Sequence, residues 1–196
     1  IGVPLNKKDF TQLCKIFDRN GDGQISFDEF LRGIRGKMST SRQHFVHYQY
    51  LPGLGFSEFH AGMAEDILMY WSMDNSVVVD PFSGRLTRAF ISSKMGRKYY
   101  GYDISPTTVK RVKTHLEQHD SDATIYCDDG CKMKQTPDDF ADLVMTCPPY
   151  HQLEKYESVD GQLSDIKKYP EFLDMIELCG TNINRVLKPG GFCIWV

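Results

Sequence analysis

The chain has 196 residues, of which 41% are hydrophobic and 25% are charged, and its formal net charge is −3 at pH 7. These values are ordinary for a globular chain that forms one large or two small domains. The negative charge excludes a broadly basic nucleic-acid-binding surface, so any nucleic-acid role has to rest on motifs. No apolar run approaches the roughly 20 residues that a membrane-spanning helix needs, and we expect no membrane partner.

The six cysteines are scattered and form no CxxC pair. A chain of this size does not need disulfides to fold, which favours reduced thiols in an intracellular compartment over a disulfide framework or a zinc site. The sequence begins at Ile1 rather than at methionine and has no signal-peptide pattern, so we expect a fragment or a processed chain.

A glycine-punctuated acidic loop lies near the N-terminus, between an amphipathic helix predicted at 6–17 and a second helix predicted at about 27–35. Calcium prefers six to eight oxygen ligands, and the twelve-residue EF-hand loop supplies them from positions 1, 3, 5, 7, 9 and 12. The loop from 18 to 29 fills each position, and Gly23 allows the sharp turn at position six. The predicted calcium ligands are Asp18, Asn20, Asp22, Gln24 through its carbonyl, Ser26 and Glu29.

Residues 1–42 resemble EF-hand proteins of the calcyphosine type, and we interpret them as an EF-hand calcium-binding segment followed by a linker at 43–55. EF-hands usually occur in pairs, so the resemblance implies a partner hand upstream of Ile1. The alternative is a polar surface turn or a degenerate hand that no longer binds calcium.

From residue 56 onward, predicted strands and helices alternate. Strands are predicted at 76–82, 98–105, 123–129, 141–147 and 191–196, and the first is a continuous apolar, β-branched run that is typical of buried parallel strands. Helical patterns lie at 61–73, 86–95, 106–119 and 170–186. This alternation predicts an α/β fold with a parallel sheet and helices on both faces. Because the sequence stops at the fifth strand, we expect a domain that is incomplete at its C-terminus.

Acidic residues stand at the ends of three predicted strands. The first strand ends in the turn DPFSG (80–84), the second at Asp103 and the third at 128–129. Ligands bind at the carboxyl ends of the strands in open α/β sheets, and an acid at the second strand can accept hydrogen bonds from ribose hydroxyls. A dinucleotide-binding dehydrogenase would need GxGxxG at the first turn, which this sequence lacks.

A proline-rich loop, TCPPY, follows the fourth predicted strand. Pro148 and Pro149 have no N–H groups, so the loop offers carbonyl oxygens, which suit the hydrogens of an exocyclic amine. Tyr150 offers a stacking face for a base removed from a duplex, as chemistry on a duplex base requires.

The order DPFSG, GRKYYGYDISP, CDDG and TCPPYHQLEKY resembles the DNA amino-methyltransferases of the N6-adenine/N4-cytosine class, especially the phage-type members with TCPPY. The resemblance implies a Rossmann-like S-adenosylmethionine-dependent methyltransferase domain at 56–196 that acts on DNA in preference to RNA. It implies that the cofactor is held by Asp80, Pro81, Phe82 and Gly84 at its methionine end, by Asp103 at the ribose and by Asp129 at the adenine amino group. It implies a catalytic loop formed by Cys147, Pro148, Pro149 and Tyr150.

Cys147 departs from the usual family pattern, which has Asp, Asn or Ser at this position. A thiol is a weak acceptor, so the target base stays open. One alternative makes Cys147 the covalent nucleophile of a C5-cytosine methyltransferase, although those enzymes place the cysteine after a proline. Two further alternatives are an RNA or protein-glutamine methyltransferase, and a calcium sensor whose methyltransferase half is vestigial. Downstream, Glu154, Tyr156 and Asp165 match the signature and either order the loop or are solvated.

Overall fold

The structure is a computed structural model that describes residues 59–153 and 156–196. The predicted EF-hand at 1–42 with its six calcium ligands, the linker at 43–55 and Glu154 lie outside the described residues. The described part falls within one compact unit, Leu54–Val196.

Helices and strands alternate along the described part of this unit as the sequence predicts, except that no helix separates the third strand from the fourth. The helices are α1 (Ala61–Trp71), α2 (Leu86–Lys94), α3 (Pro106–Gln118) and α4 (Tyr169–Val186), with a short 3₁₀ helix at Leu163–Asp165. The strands are β1 (Val77–Asp80), β2 (Lys98–Asp103), β3 (Thr124–Cys127), β4 (Ala141–Thr146) and β5 (Leu187–Trp195).

The five strands form one sheet in the order β3-β2-β1-β4-β5, and every neighbouring pair is parallel. The chain runs outward from β1 through β2 to β3 and then returns to place β4 on the other side of β1. This reversal is a topological switch point, and a crevice opens there at the carboxyl ends of the strands. The predicted α/β Rossmann-like fold is confirmed.

Both faces of the sheet are covered. Val79 is fully buried in a cluster with Phe172, Cys179 and Ile183 of α4. Successive strand residues point to opposite faces, and Val78 is equally buried. A strand buried on both faces has to be apolar throughout, which explains the run of three valines in β1.

The largest difference from the predicted elements is in β5, which begins at Leu187 rather than at 191. Leu187 pairs with Ala141 and Phe192 pairs with Leu143, so the residues between them bulge out of the ladder. Residues 189–191, which precede the predicted start of the strand, lie in this irregularity. Among the described residues, no helix combines the length and apolar character needed to cross a membrane.

Candidate active site

A cavity of about 570 Å³ opens at the carboxyl ends of the strands, a volume within the usual range for small-molecule sites. Nine of the ten predicted cofactor-binding and catalytic residues line it. They are Pro81, Phe82, Gly84, Asp103, Asp129, Cys147, Pro148, Pro149 and Tyr150.

Asp80 is the predicted residue that does not line the cavity, because its carboxylate is buried behind the first turn and already has four donors. Oδ2 accepts from Arg88 Nε at 2.6 Å and from the Tyr99 hydroxyl at 2.7 Å. Oδ1 accepts from Thr146 Oγ1 at 2.8 Å and from the Phe82 amide at 3.0 Å. These contacts give Asp80 a structural role that joins β1, β2, β4 and α2, and its expected contact with the cofactor stays a prediction.

Arg88 forms the cavity wall next to this carboxylate. Its Nη2 donates to the Phe82 carbonyl, and its guanidinium carbon lies 4.7 Å from the centre of the Phe59 ring. Burial alone would lower the pKa of Arg88, but the adjacent Asp80 raises it above the ordinary value. Burial and the negative charge of Asp80 raise the pKa of Tyr99. Arg88 is therefore a permanent buried cation, and Asp80 is its counter-ion.

The turn that follows β1 leaves polar groups available to a ligand. The Ser83 amide donates to the Tyr102 carbonyl at 2.7 Å, but the buried Ser83 hydroxyl has no partner. Gly84 has a φ of +53°, a left-handed conformation that glycine adopts at little cost. Helix α2 begins directly after this turn without a side-chain cap, so its first N–H groups can donate hydrogen bonds to an anionic group.

Asp103 ends β2 at the next part of the cavity wall. Its Oδ1 accepts a hydrogen bond of 2.8 Å from the Ser105 amide. Burial raises the pKa of Asp103 to about 6, Asp80 and Glu157 add to this effect, and hydrogen bonds from Ser105 and Gly84 oppose it. Above that pH the carboxylate is ionised and accepts hydrogen bonds from hydroxyl groups.

The loop after β3 approaches the turn after β1 very closely. A Cβ added at Gly130 would lie 1.7 Å from the Pro81 carbonyl oxygen, so no other residue fits there without moving backbone. Asp129, the residue before it, accepts from the Cys131 amide at 2.9 Å and pairs with Lys132 at 2.8 Å. The expected contact of Asp129 with an adenine amino group stays a prediction.

The TCPPY loop leaves β4 at the same edge of the sheet. Tyr150 is 51% exposed, and its neighbour His151 packs against Tyr169 and Phe172 at ring distances of 5.3 and 5.2 Å. These contacts anchor the end of the loop on the start of α4 while Tyr150 stays open to the cavity. We call Cys147–Tyr150 the hook.

The segment after the hook, at 156–163, forms the opposite wall and includes functional candidates that sequence reasoning missed. Those residues are Glu157, Gly161, Gln162 and Leu163. Three further lining residues that the sequence did not indicate are Arg88, Ser105 and Gly130. Ser105 had a readable signal, since a serine before Pro106 is a typical helix N-cap, and its hydroxyl accepts from the Thr108 amide at 3.0 Å.

Two family models match the chain, and each covers more than half of it. One is described as "DNA methylase" and matches residues 8–114, and the other is described as "Methyltransferase domain" and matches residues 81–195. A search of the curated proteins gives no match.

Solved structures with the same fold include methyltransferases. An rRNA methylase from Streptococcus thermophilus is 15% identical with a TM-score of 0.51, over 72% of this chain and 71% of that one. A Streptococcus mutans protein in complex with SAH is 15% identical with a TM-score of 0.52, over 71% of this chain and 73% of that one. A Pyrococcus horikoshii protein is 20% identical with a TM-score of 0.52 over 68% of this chain, which spans only 54% of that structure.

The chain belongs to the S-adenosylmethionine-dependent methyltransferases. The described residues fit this cofactor because the cavity combines unpaired polar groups beside the β1 turn with an acid at the end of β2. The predicted methyltransferase family is confirmed. The target of methylation is a separate question.

Proposed function

We propose that the protein transfers a methyl group from S-adenosylmethionine to an exocyclic amino group of adenine or cytosine in DNA. The observation that carries this proposal is that the hook and the DPFSG turn line one cavity, with Tyr150 exposed at its wall. The match of the DNA methylase family model to residues 8–114 supports DNA as the target.

The chain's own contribution to this reaction is to position the amine. S-adenosylmethionine supplies an electrophilic methyl group when it is bound. The two prolines of the hook offer carbonyl oxygens without competing N–H groups, and such acceptors bind the hydrogens of an exocyclic amine. Holding amine and donor in line is worth several orders of magnitude in rate without acid–base chemistry.

Thr146 links the two halves of the site. It stands directly before the hook, and its hydroxyl donates to the same Asp80 carboxylate that holds the DPFSG turn. The donor-side turn and the amine-side hook are therefore fixed by one buried group, which favours a constant distance between the two reactants.

Replacing Tyr150 by alanine should separate target binding from cofactor binding. Stacking of a base on an aromatic ring is worth about 1–3 kcal/mol, so we expect kcat/KM for DNA to fall by about 10- to 100-fold. Affinity for S-adenosylhomocysteine should stay within about twofold, since that ligand does not need the stacking face. Tritiated methyl transfer to duplex DNA and calorimetry measure the two quantities.

Two variants control this experiment. Tyr70→Ala removes a tyrosine that is also exposed, on α1 and outside the cavity, and should leave both quantities unchanged. Cys147→Ser should retain transfer, because the hook acts through backbone oxygens. An inactive Cys147→Ser enzyme that still binds cofactor would instead support covalent chemistry on C5 of cytosine.

We also propose that the loop from Asp18 to Glu29 binds calcium, on the basis of its complete set of oxygen ligands. Within 59–153 and 156–196, no group of three or more His, Cys, Asp or Glu side chains could hold a metal, so calcium binding would depend on the N-terminal segment. Calcium titration of the full chain by calorimetry should show binding that Glu29→Gln weakens at least tenfold. Equal heats for the two proteins would exclude this loop as the calcium site.

A further inference from the structure

The cofactor cavity contains a second carboxylate that the motifs of the sequence do not assign. Glu157 lies in the segment after the hook and lines the cavity together with Asp103. Both carboxylates accept hydrogen bonds from Ser105, which places the two acids near one another. The cavity is large enough for a nucleoside, and both acids are placed to contact a ligand bound in it.

Ser105 holds both acids in place. Its amide donates to Asp103 Oδ1 at 2.8 Å, and its hydroxyl donates to Glu157 Oε2. Thr107 Oγ1 donates to Glu157 Oε1 at 3.0 Å, and Gln162 Nε2 donates to the Glu157 carbonyl at 3.3 Å. Glu157 thus reaches across from the segment after the hook to the first turn of α3.

The Glu157 carboxylate accepts hydrogen bonds at the N-terminus of α3, where a helix favours acceptor groups. Each oxygen of a carboxylate can accept about two hydrogen bonds, so the bonds from Ser105 and Thr107 leave acceptor capacity on Glu157. The Glu157 side chain is held in one orientation and is exposed to the cavity, so it can still accept hydrogen bonds from a ligand.

We propose that Glu157 and Asp103 together bind the two adjacent hydroxyl groups of the cofactor's ribose. A vicinal diol is neutral and supplies two O–H donors, and a pair of carboxylates supplies acceptors for both. The same two charges repel a phosphorylated ribose, so the pair selects a nucleoside with free 2′- and 3′-hydroxyls. This assignment rests on the proposed use of S-adenosylmethionine, but it does not depend on the methylated target.

A purely structural role for Glu157 makes a different prediction. If Glu157 only ties the segment at 156–163 to α3, its loss weakens every ligand of the cavity by the same factor. If Glu157 contacts the ribose, its loss weakens only ligands that carry the hydroxyl it binds. The ribose analogues of one ligand therefore separate the two roles.

The test is calorimetry of S-adenosylhomocysteine and of its 2′-deoxy and 3′-deoxy analogues with the wild type and with Glu157→Gln. Each analogue lacks one hydroxyl, so we expect the wild type to bind each of them about tenfold more weakly than the parent. The first analogue is the one that loses the contact with Glu157, and the other loses the contact with Asp103. Glu157→Gln should bind the parent about tenfold more weakly and should no longer distinguish it from the first analogue. Equal weakening of all three ligands, or no weakening, would overturn the proposal.

Two further variants sharpen the comparison. Asp160→Asn makes the same acid-to-amide change at an exposed position of the same segment outside the cavity, and should bind all three ligands like the wild type. Thr107→Val removes one of the hydroxyls that orientate Glu157 and should cost about threefold for the parent and for the analogue that keeps the hydroxyl bound by Glu157, but not for the other analogue. A wild type that binds S-adenosylhomocysteine without methylating DNA would refute the proposed target and leave the diol assignment standing.

Discussion

Replacing Asp80 by alanine is expected to lower the free energy of unfolding by about 3–5 kcal/mol, the usual cost of removing one partner from a buried ion pair. The reason is that Arg88 stays buried and charged when its counter-ion is gone. Tyr99 and Thr146 lose their acceptor at the same time. Urea unfolding followed by circular dichroism measures the change.

The ion pair between the buried Arg97 and the exposed Asp74 is the control. It has an N–O distance of 3.3 Å, but Asp74 is 87% exposed, so Asp74→Ala should change stability little. Arg88→Ala combined with Asp80→Ala should be less damaging than the sum of the two single changes, because neither charge is then left unpaired. Additive losses would show that the pair is not coupled and would contradict the role given to Asp80.

The fold could be predicted from the sequence because the patterns that indicate its strands and helices are local. The run of valines in β1 is typical of a buried parallel strand, and helices follow β1, β2 and β4, so the alternation of strands and helices predicts the parallel sheet. The exception is β5, which was predicted to begin only at 191, after a proline and a glycine. There, pairing of Leu187 with Ala141 extends the strand, and such pairing depends on a partner far away in the chain.

The site could be predicted only in part, because sequence patterns are local and many contacts within the site are not. Motifs locate the residues at strand ends, and the parallel sheet gathers those ends at one edge. The partners of a side chain depend on the folded geometry. Asp80 was predicted to bind the ligand because it begins the turn, yet its carboxylate accepts hydrogen bonds from Arg88, Tyr99 and Thr146. Glu157 escaped notice because its partner Ser105 is 52 residues away.

Replacing Gly130 by alanine is expected to be the most damaging conservative change at the cavity. The added methyl group would lie 1.7 Å from the Pro81 carbonyl oxygen, and a backbone atom cannot swing aside as a flexible side chain can. The loops after β1 and β3 must therefore separate. Overpacking of this kind costs about 1–3 kcal/mol, and we expect the upper end of that range.

Separation of these loops should also reduce cofactor affinity at least tenfold, about 1.4 kcal/mol, because Pro81 and Asp129 lie on opposite sides of the contact and both line the cavity. Gly180→Ala is the control, since this glycine lies in α4 with no atom within 4 Å of an added Cβ. An alanine inside a helix should stabilise the protein by about 0.5–1 kcal/mol. Opposite signs for the same chemical change would show that the Gly130 effect comes from the close approach of two loops. A Gly130→Ala protein as stable as the wild type, with unchanged affinity for S-adenosylhomocysteine, would mean that the two loops do not form this contact in solution.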